Sequence, residues 1–546
     1  MAMRILVHQM KGEDATIDVL PDTTIRDLKR QLKGLQVAED ELTRKMSLVE
    51  VIVGDRKLVR NQETVIQAGI SSEVAVQVVF SIKEVECVNL QSVPCDKEDF
   101  LVLRFPESEL RIEDFAFEDA GNLVSASLGS SLTQIGAYAF ANCSSLARVT
   151  MPSSVSSIDL GAFRNCRSLT TLAIPDALTE IQEGAFACCS SLRSIEIPES
   201  VICIGLHAFA GCSSLESLRI PSSVTQIGAH AFADCSALVS VSIPSSVMEI
   251  EAAAFRNCIS LAKVELPETL TCIRERTFEG CSSLASLAIP SSVTAIEDSA
   301  FANCRSLTEI HLPKRVSSIG PFSFASSGLE TVEWNETRAP SGTLDLGEGA
   351  FSHCSGLRKI CLPRSVREIQ AGGFQNCSSL VSVFIPDSVE SIGLHAFAAC
   401  GSLVSVTIPE SVRQIGAYAF ADCRSLASLS IPESVTDIDA GAFQNCSSLV
   451  LLDLPNSLAC IREQTFDGCS SLASVSIPKS VSEIEAAAFQ NCIALASVII
   501  PDSVTRIGAV AFAGCSALEG VAIPDSVVDV GEGAFALTAH PACTEL

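Results

Sequence analysis

The chain has 546 residues, 64 Asp+Glu against 37 Lys+Arg, and a formal net charge of -27. So acidic a surface repels phosphate backbones and excludes nucleic acid as a partner. No apolar run approaches the roughly 18 residues of a membrane-spanning helix, so no span is expected.

The opening Met1-Ala-Met-Arg-Ile-Leu-Val-His carries no long apolar stretch. It predicts a strand rather than a signal peptide, and with it a reducing, cytoplasmic location. Residues 4–9 alternate as a strand, Lys11-Gly12 turns the chain, and a second strand runs around Thr16 to Leu20. Thr24 suits a helix N-cap with Asp27 at the third helical position. Ile25, Leu28 and Leu32 fall on one helical face, and Gly34 is a plausible stop. A strand near Glu50–Val53, a Gly54-Asp55 turn and a strand from Val74 to Phe80 complete a ββαββ order.

That order, with Met3-Arg-Ile-Leu-Val-His-Gln-Met10-Lys-Gly12, Val53-Gly-Asp-Arg-Lys-Leu58 and Gly69-Ile-Ser-Ser-Glu-Val74, resembles the ubiquitin-like β-grasp family over residues 3–81. The resemblance implies a recognition patch at Met10, Val51 and Val79, and ubiquitin-recognising proteins as partners. The closing strand runs on through Ser81-Ile82-Lys83 without a terminal Gly-Gly, so covalent conjugation of this domain is not expected. Residues 1–82 are expected to form this domain, and 83–99 a junction that leads into the remainder of the chain and caps its open end.

From residue 100 a 23-residue phrase repeats. Phe recurs at that step from Phe117 to Phe324 and from Phe351 to Phe535, with one step of 27 between Phe324 and Phe351. Such self-similarity marks a solenoid. Nineteen strand starts can be counted, from Phe100 to Leu518. In each coil Leu-x-x-Val/Leu-x-Ile/Leu predicts a strand that ends at a Pro, which has no N–H for a ladder. Ser-Val-x-x-Ile predicts a second short extended piece. Gly/Glu-x-x-Ala-Phe-x-x-Cys predicts a tight turn or a single helical turn, with Phe plugging the interior. A lone coil cannot bury enough to fold, so the coils must stack. Sixteen of the 24 Cys sit in one column of the repeat, which predicts free, buried thiols.

The phrase L-x-x-V-x-I-P-x-x-V-x-x-I-x-x-x-A-F-x-x-C resembles the BspA-type leucine-rich repeat over residues 100–537. The resemblance implies a solenoid that binds other proteins or surfaces. The expected fold class is therefore α+β: a β-grasp domain at 1–82, then a solenoid of about nineteen coils over 100–546. A longer period overlies the short one. Gly205-Leu-His-Ala-Phe209 returns as Gly393-Leu-His-Ala-Phe397, and Ile273-Arg-Glu-Arg-Thr-Phe278 as Ile461-Arg-Glu-Gln-Thr-Phe466, an offset of 188 that marks a duplicated block.

No phosphate loop, HExxH helix, Gly-x-Ser-x-Gly or CxxC pair appears, so neither catalysis, cofactor nor metal is expected. Interaction residues are expected among outward strand positions. Val381, Phe384 and Val404 form an apolar spot, and Trp334, the one Trp, sits in the irregular 325–350 stretch. The functional expectation is a non-enzymatic scaffold that holds a protein partner. The alternatives are a ubiquitin-pathway ligase subunit, against which no RING-like Cys/His spacing is present, and a surface adhesin.

Overall fold

The computed structural model describes residues 101–334 and 342–539, and before them the backbone of six strands: Met3–Gln9 (β1), Ala15–Val19 (β2), Leu48–Val53 (β3), Arg56–Lys57 (β4), Val76–Phe80 (β5) and Lys83–Glu86 (β6). Two compact units divide the chain, residues 1–201 with 208–215, and 202–207 with 216–546.

In the first unit β1 to β5 form a mixed sheet in the order β2-β1-β5-β3-β4. β1 runs antiparallel to β2 and parallel to β5, and β3 runs antiparallel to β5. The expected helix over 24–34 lies outside the described residues, as does Met10. β6 pairs in parallel with Leu101–Arg104 (β7), so part of the junction supplies a further rung beside the first coil. Leu123–Ser127 (β9) continues the ladder from β7, and Arg111–Ile112 (β8) begins a second parallel ladder, so each short strand of a coil has its own.

The second unit repeats this plan. Ser240–Ser242 pairs in parallel with Lys263–Glu265, Val241 opposite Val264. Gln226–Ile227 pairs with Glu249–Ile250 in the second ladder. The three-residue strands alternate exposed, buried, exposed. That pattern follows from the period of two, which turns the middle side chain inward. Phe rings stack through the interior from Phe232 to Phe535. Centroid separations run from 5.2 to 5.8 Å, close to the spacing of ladder rungs. The stack passes the 27-residue step intact, with Phe324 and Phe351 5.3 Å apart and 3° from parallel.

The described solenoid has about eighteen turns, and no helix occurs among the described residues. The Phe segment is thus a turn, not a helical turn. The nineteenth coil, from Leu518, is incomplete. It keeps the short strand Asp529–Val530, paired in parallel with Arg506–Ile507, and forms no first strand among the described residues. Each coil turns through the left-handed region twice, two residues before the Phe and one before the Cys. At the second place stand Asn142, Asn165, Asp234, Gly280 and Asn303, residue types that tolerate positive φ.

The sixteen column cysteines are buried and form no disulfide. Cys281 Sγ donates to the Phe255 carbonyl at 3.2 Å, and Cys304 to Phe278 likewise. Each thiol thus ties its coil to the one before. Burial pushes the Cys304 thiol up to about 12 and the Cys354 thiol to about 11. At the irregular coil Ser327 takes the Cys place, and its hydroxyl lies 3.3 Å from Cys354 Sγ.

Candidate protein-binding ladder face

Three positions per rung face outward along the first-strand ladder: the residue after the leading Leu, the next one, and the one before the strand-ending Ile. In the rungs from Glu216 to Cys361 these positions are charged in nine cases of twenty-one. Lys263 Nζ lies 2.7 Å from Glu265 Oε1. Hydrogen bonds from Lys263 and Ser242 hold the Glu265 carboxyl below its usual range. Glu309 and His311 share the exposed face of one strand, and Glu333 lies opposite His311 on the next. His311 Nε2 is 3.1 Å from Glu309 and 3.0 Å from Glu333, a donor set with the ligand types of a cation site. The strands of this rung, Glu309–Leu312 and Thr331–Trp334, pair over four residues.

The next six rungs, from Val381 to Ile499, have a different face. Of eighteen outward positions one is charged, Asp453. The first column reads Val381, Val404, Ala427, Val450, Ala473, Ala496, all exposed. The Val404 N–H donates to the Val381 carbonyl at 3.2 Å, Ala427 to Val404 at 3.2 Å, and Val450 to Ala427 at 2.9 Å, so neighbours in this column are neighbours in space. The second column is serine except for Leu451, which is 67% exposed. The third opens on Phe384 and ends on Ile499, 54% and 69% exposed. Their strand partners Val383 and Val498 point inward and are buried. A contiguous apolar and hydroxyl surface of this kind on an acidic protein is a candidate interaction site.

The duplicated block sharpens the contrast. At an offset of 188, Arg193 corresponds to Val381, Glu196 to Phe384, Glu216 to Val404, Arg219 to Thr407, Lys263 to Leu451, Glu309 to Ser497 and His311 to Ile499. The inward columns keep Leu, Val, Phe and Cys in both copies, while seven charged or imidazole side chains on the face give way to neutral ones.

Val381, Phe384 and Val404 lie exposed on the outward side of two adjacent rungs, and Val450, Leu451 and Ile499 lie exposed on the same side of later rungs. The signal that could have found those three was the comparison of the two copies. Trp334 is half-buried at the end of its strand opposite Leu312, its indole N–H without a hydrogen-bond partner. It fills the place of the strand-ending Ile. Val51 and Val79 lie on the adjacent strands β3 and β5, where the register sets Val51 opposite Val78 and Val79 opposite Glu50. Two shallow cavities occur on the second unit, about 360 Å³ beside Lys263, Glu268 and Pro290 and about 350 Å³ beside Lys314, Arg315 and Gly342. No described helix is long and apolar enough to cross a membrane.

A family model for the BspA type leucine-rich repeat region matches residues 110–239, 226–339, 333–450 and 440–540. Among solved structures, a leucine-rich repeat protein from Bacteroides ovatus is 33% identical, covers 60% of this chain and 84% of its own, and superposes with a TM-score of 0.55. One from Eubacterium ventriosum is 22% identical over 70% of this chain and 91% of its own, with a TM-score of 0.34. The leucine-rich repeat protein of T. pallidum is 29% identical over 34% and 77%, with a TM-score of 0.26. A search of curated proteins gave no significant match.

Proposed function

We propose that this chain, which belongs to the BspA-type leucine-rich repeat family, is a non-enzymatic scaffold that docks a protein on the ladder face from Val381 to Ile499. One observation carries the reading: this face bears one charge in eighteen positions, where the rungs before it bear nine in twenty-one. The rung backbones are already hydrogen-bonded between coils, so a partner is read by side chains, not by strand addition. Apolar anchors within a hydroxyl-bearing surround are the composition of a protein-binding patch.

The test is quantitative capture with the full chain, comparing wild type with Val404→Lys and Phe384→Ala. Captured proteins, the chain itself included, should fall with both variants and not with Lys263→Leu on the charged rungs. Equal capture by all four removes the reading.

Two finer proposals accompany it. The strand order β2-β1-β5-β3-β4, with its parallel centre and antiparallel flanks, supports a ubiquitin-like head that docks to ubiquitin-recognising machinery. Val51→Asp should then weaken capture of such proteins and leave capture through the ladder unchanged. A cytoplasmic location fits the exposed Cys361, which forms no disulfide. Cell fractionation decides between that location and a surface adhesin that uses the same ladder.

A further inference from the structure

We infer that the protein taken by this ladder face is a second copy of the chain, joined two-fold with the two stacks running in opposite directions. The inference rests on the docking reading above and adds the identity of the partner.

Charge comes first. Two copies at -27 each repel wherever acidic surfaces approach within the screening length, about 8 Å at physiological salt. A face with one charge in eighteen positions lets two copies meet without stacking carboxylates against each other.

The order of residues along the face comes second. A two-fold interface is self-complementary: where one residue meets another, the reverse contact also exists. Let the axis run parallel to the strands, level with the gap between the Ser430 and Asp453 rungs. Rung order then reverses and each column meets itself. The first column pairs Val381 with Ala496, Val404 with Ala473, and Ala427 with Val450. Every pair sets a larger side chain against a smaller one, the alternation by which facing layers interdigitate. The third column pairs Phe384 with Ile499, both exposed and apolar. Its central pair sets the Ser430 hydroxyl, a donor, against the single carboxylate, Asp453.

Size comes third. Eighteen outward residues a side sit just below the roughly 20–30 of a standard interface, which fits a reversible, concentration-dependent dimer.

Sedimentation velocity on the full purified chain between about 1 and 100 μM tests this. The wild type should pass from monomer to dimer as concentration rises. Val404→Lys and Ala473→Glu should each raise the dissociation constant about tenfold or more. The double variant Val404→Lys/Ala473→Glu should regain most of the loss, because the two introduced charges then oppose one another across the axis. Thermal melts identify any variant that has lost its fold, and Leu451→Ser then serves as a milder substitute on the same face. A wild type that stays monomeric at the highest concentration overturns the inference. So does a dimer that both single variants leave intact, or a double variant no better than the singles. Failure of the wider docking reading looks different: the wild type is monomeric and Val404→Lys also captures every protein that the wild type captures. A monomer whose heterologous capture is lost in Val404→Lys sinks the second copy and keeps the docking face.

Discussion

The rungs from Glu216 to Cys361 and those from Val381 to Ile499 share one interior and present opposite faces to water. Phe278 and Phe466 are copies of one residue, both fully buried in the same ring stack. Lys263 and Leu451 are copies of one position too, and one is half of an ion pair while the other is an exposed hydrocarbon. The inward columns are constrained by packing, where a change of one methylene is felt. The outward columns carry little of the stability and are free to diverge toward recognition. The difference between the two regions is therefore one of exposed chemistry laid over a shared scaffold.

The largest effect should be shared by both regions. Phe278→Ala and Phe420→Ala each remove a fully buried ring, and each should lower stability by about 3–5 kcal/mol in urea unfolding. A Phe420 loss much smaller than the Phe278 loss would mean that the uncharged region is less well packed, and the comparison would fail.

A mid-sized effect should separate the regions. Gly441 has φ of +64°, and a Cβ there would lie 2.2 Å from the Tyr418 ring. At the copied positions His230 is followed by Ala253, also at positive φ, and the extra carbon is accommodated. Gly441→Ala should therefore cost about 1–3 kcal/mol, and Tyr418→His in the same chain should recover part of that loss. Thermal melts of the single and double variants measure it.

Exchanging the faces should barely touch the fold. Lys263→Leu breaks an exposed pair and should move stability by no more than about 0.5 kcal/mol. Leu451→Lys should do the same, while abolishing any capture that depends on the uncharged face. A loss of several kcal/mol from either would mean that the outward columns are structural.

The smallest effect is one of pH. The His230 ring stacks on His207 at 4.7 Å, whereas the copied pair is His395 with Tyr418. Burial, then His207 and Arg256, hold the His230 imidazole below its usual 6.5, Asp234 opposes this and Arg276 adds to it. The neutral ring is favoured in the folded chain, so the unfolded chain takes up the proton first. Stability should decline slightly as pH falls through 6.5 and below, and His230→Tyr should flatten that slope. Melting curves across that range would show it, and a slope unchanged by the substitution would remove the assignment.

Much of this was legible in the residues themselves. Pro221 ends a strand, Phe232 fills the interior and Cys235 lies buried, as the repeat of those types demands. The left-handed turns were signalled by Asn, Asp and Gly ahead of the Cys column, a pattern that the strand-and-column reading passed over. The uncharged face was legible only in part. Val381, Phe384 and Val404 stood out as apolar residues in polar positions, while Ala427, Ala473 and Ala496 carry no such mark alone and gain meaning only as members of one column.

The chain's own letters determined the coil, its period and its inward residues, because burial imposes the same demand at every repeat and so writes it into every phrase. Only the folded stack decided that the rings of Phe324 and Phe351 stay in contact across 27 residues, and that Val381, Val404 and Val450 lie along one surface. Side-by-side placement across a ladder is set by the register between coils, and that register is fixed by hydrogen bonds and packing between segments far apart in the chain.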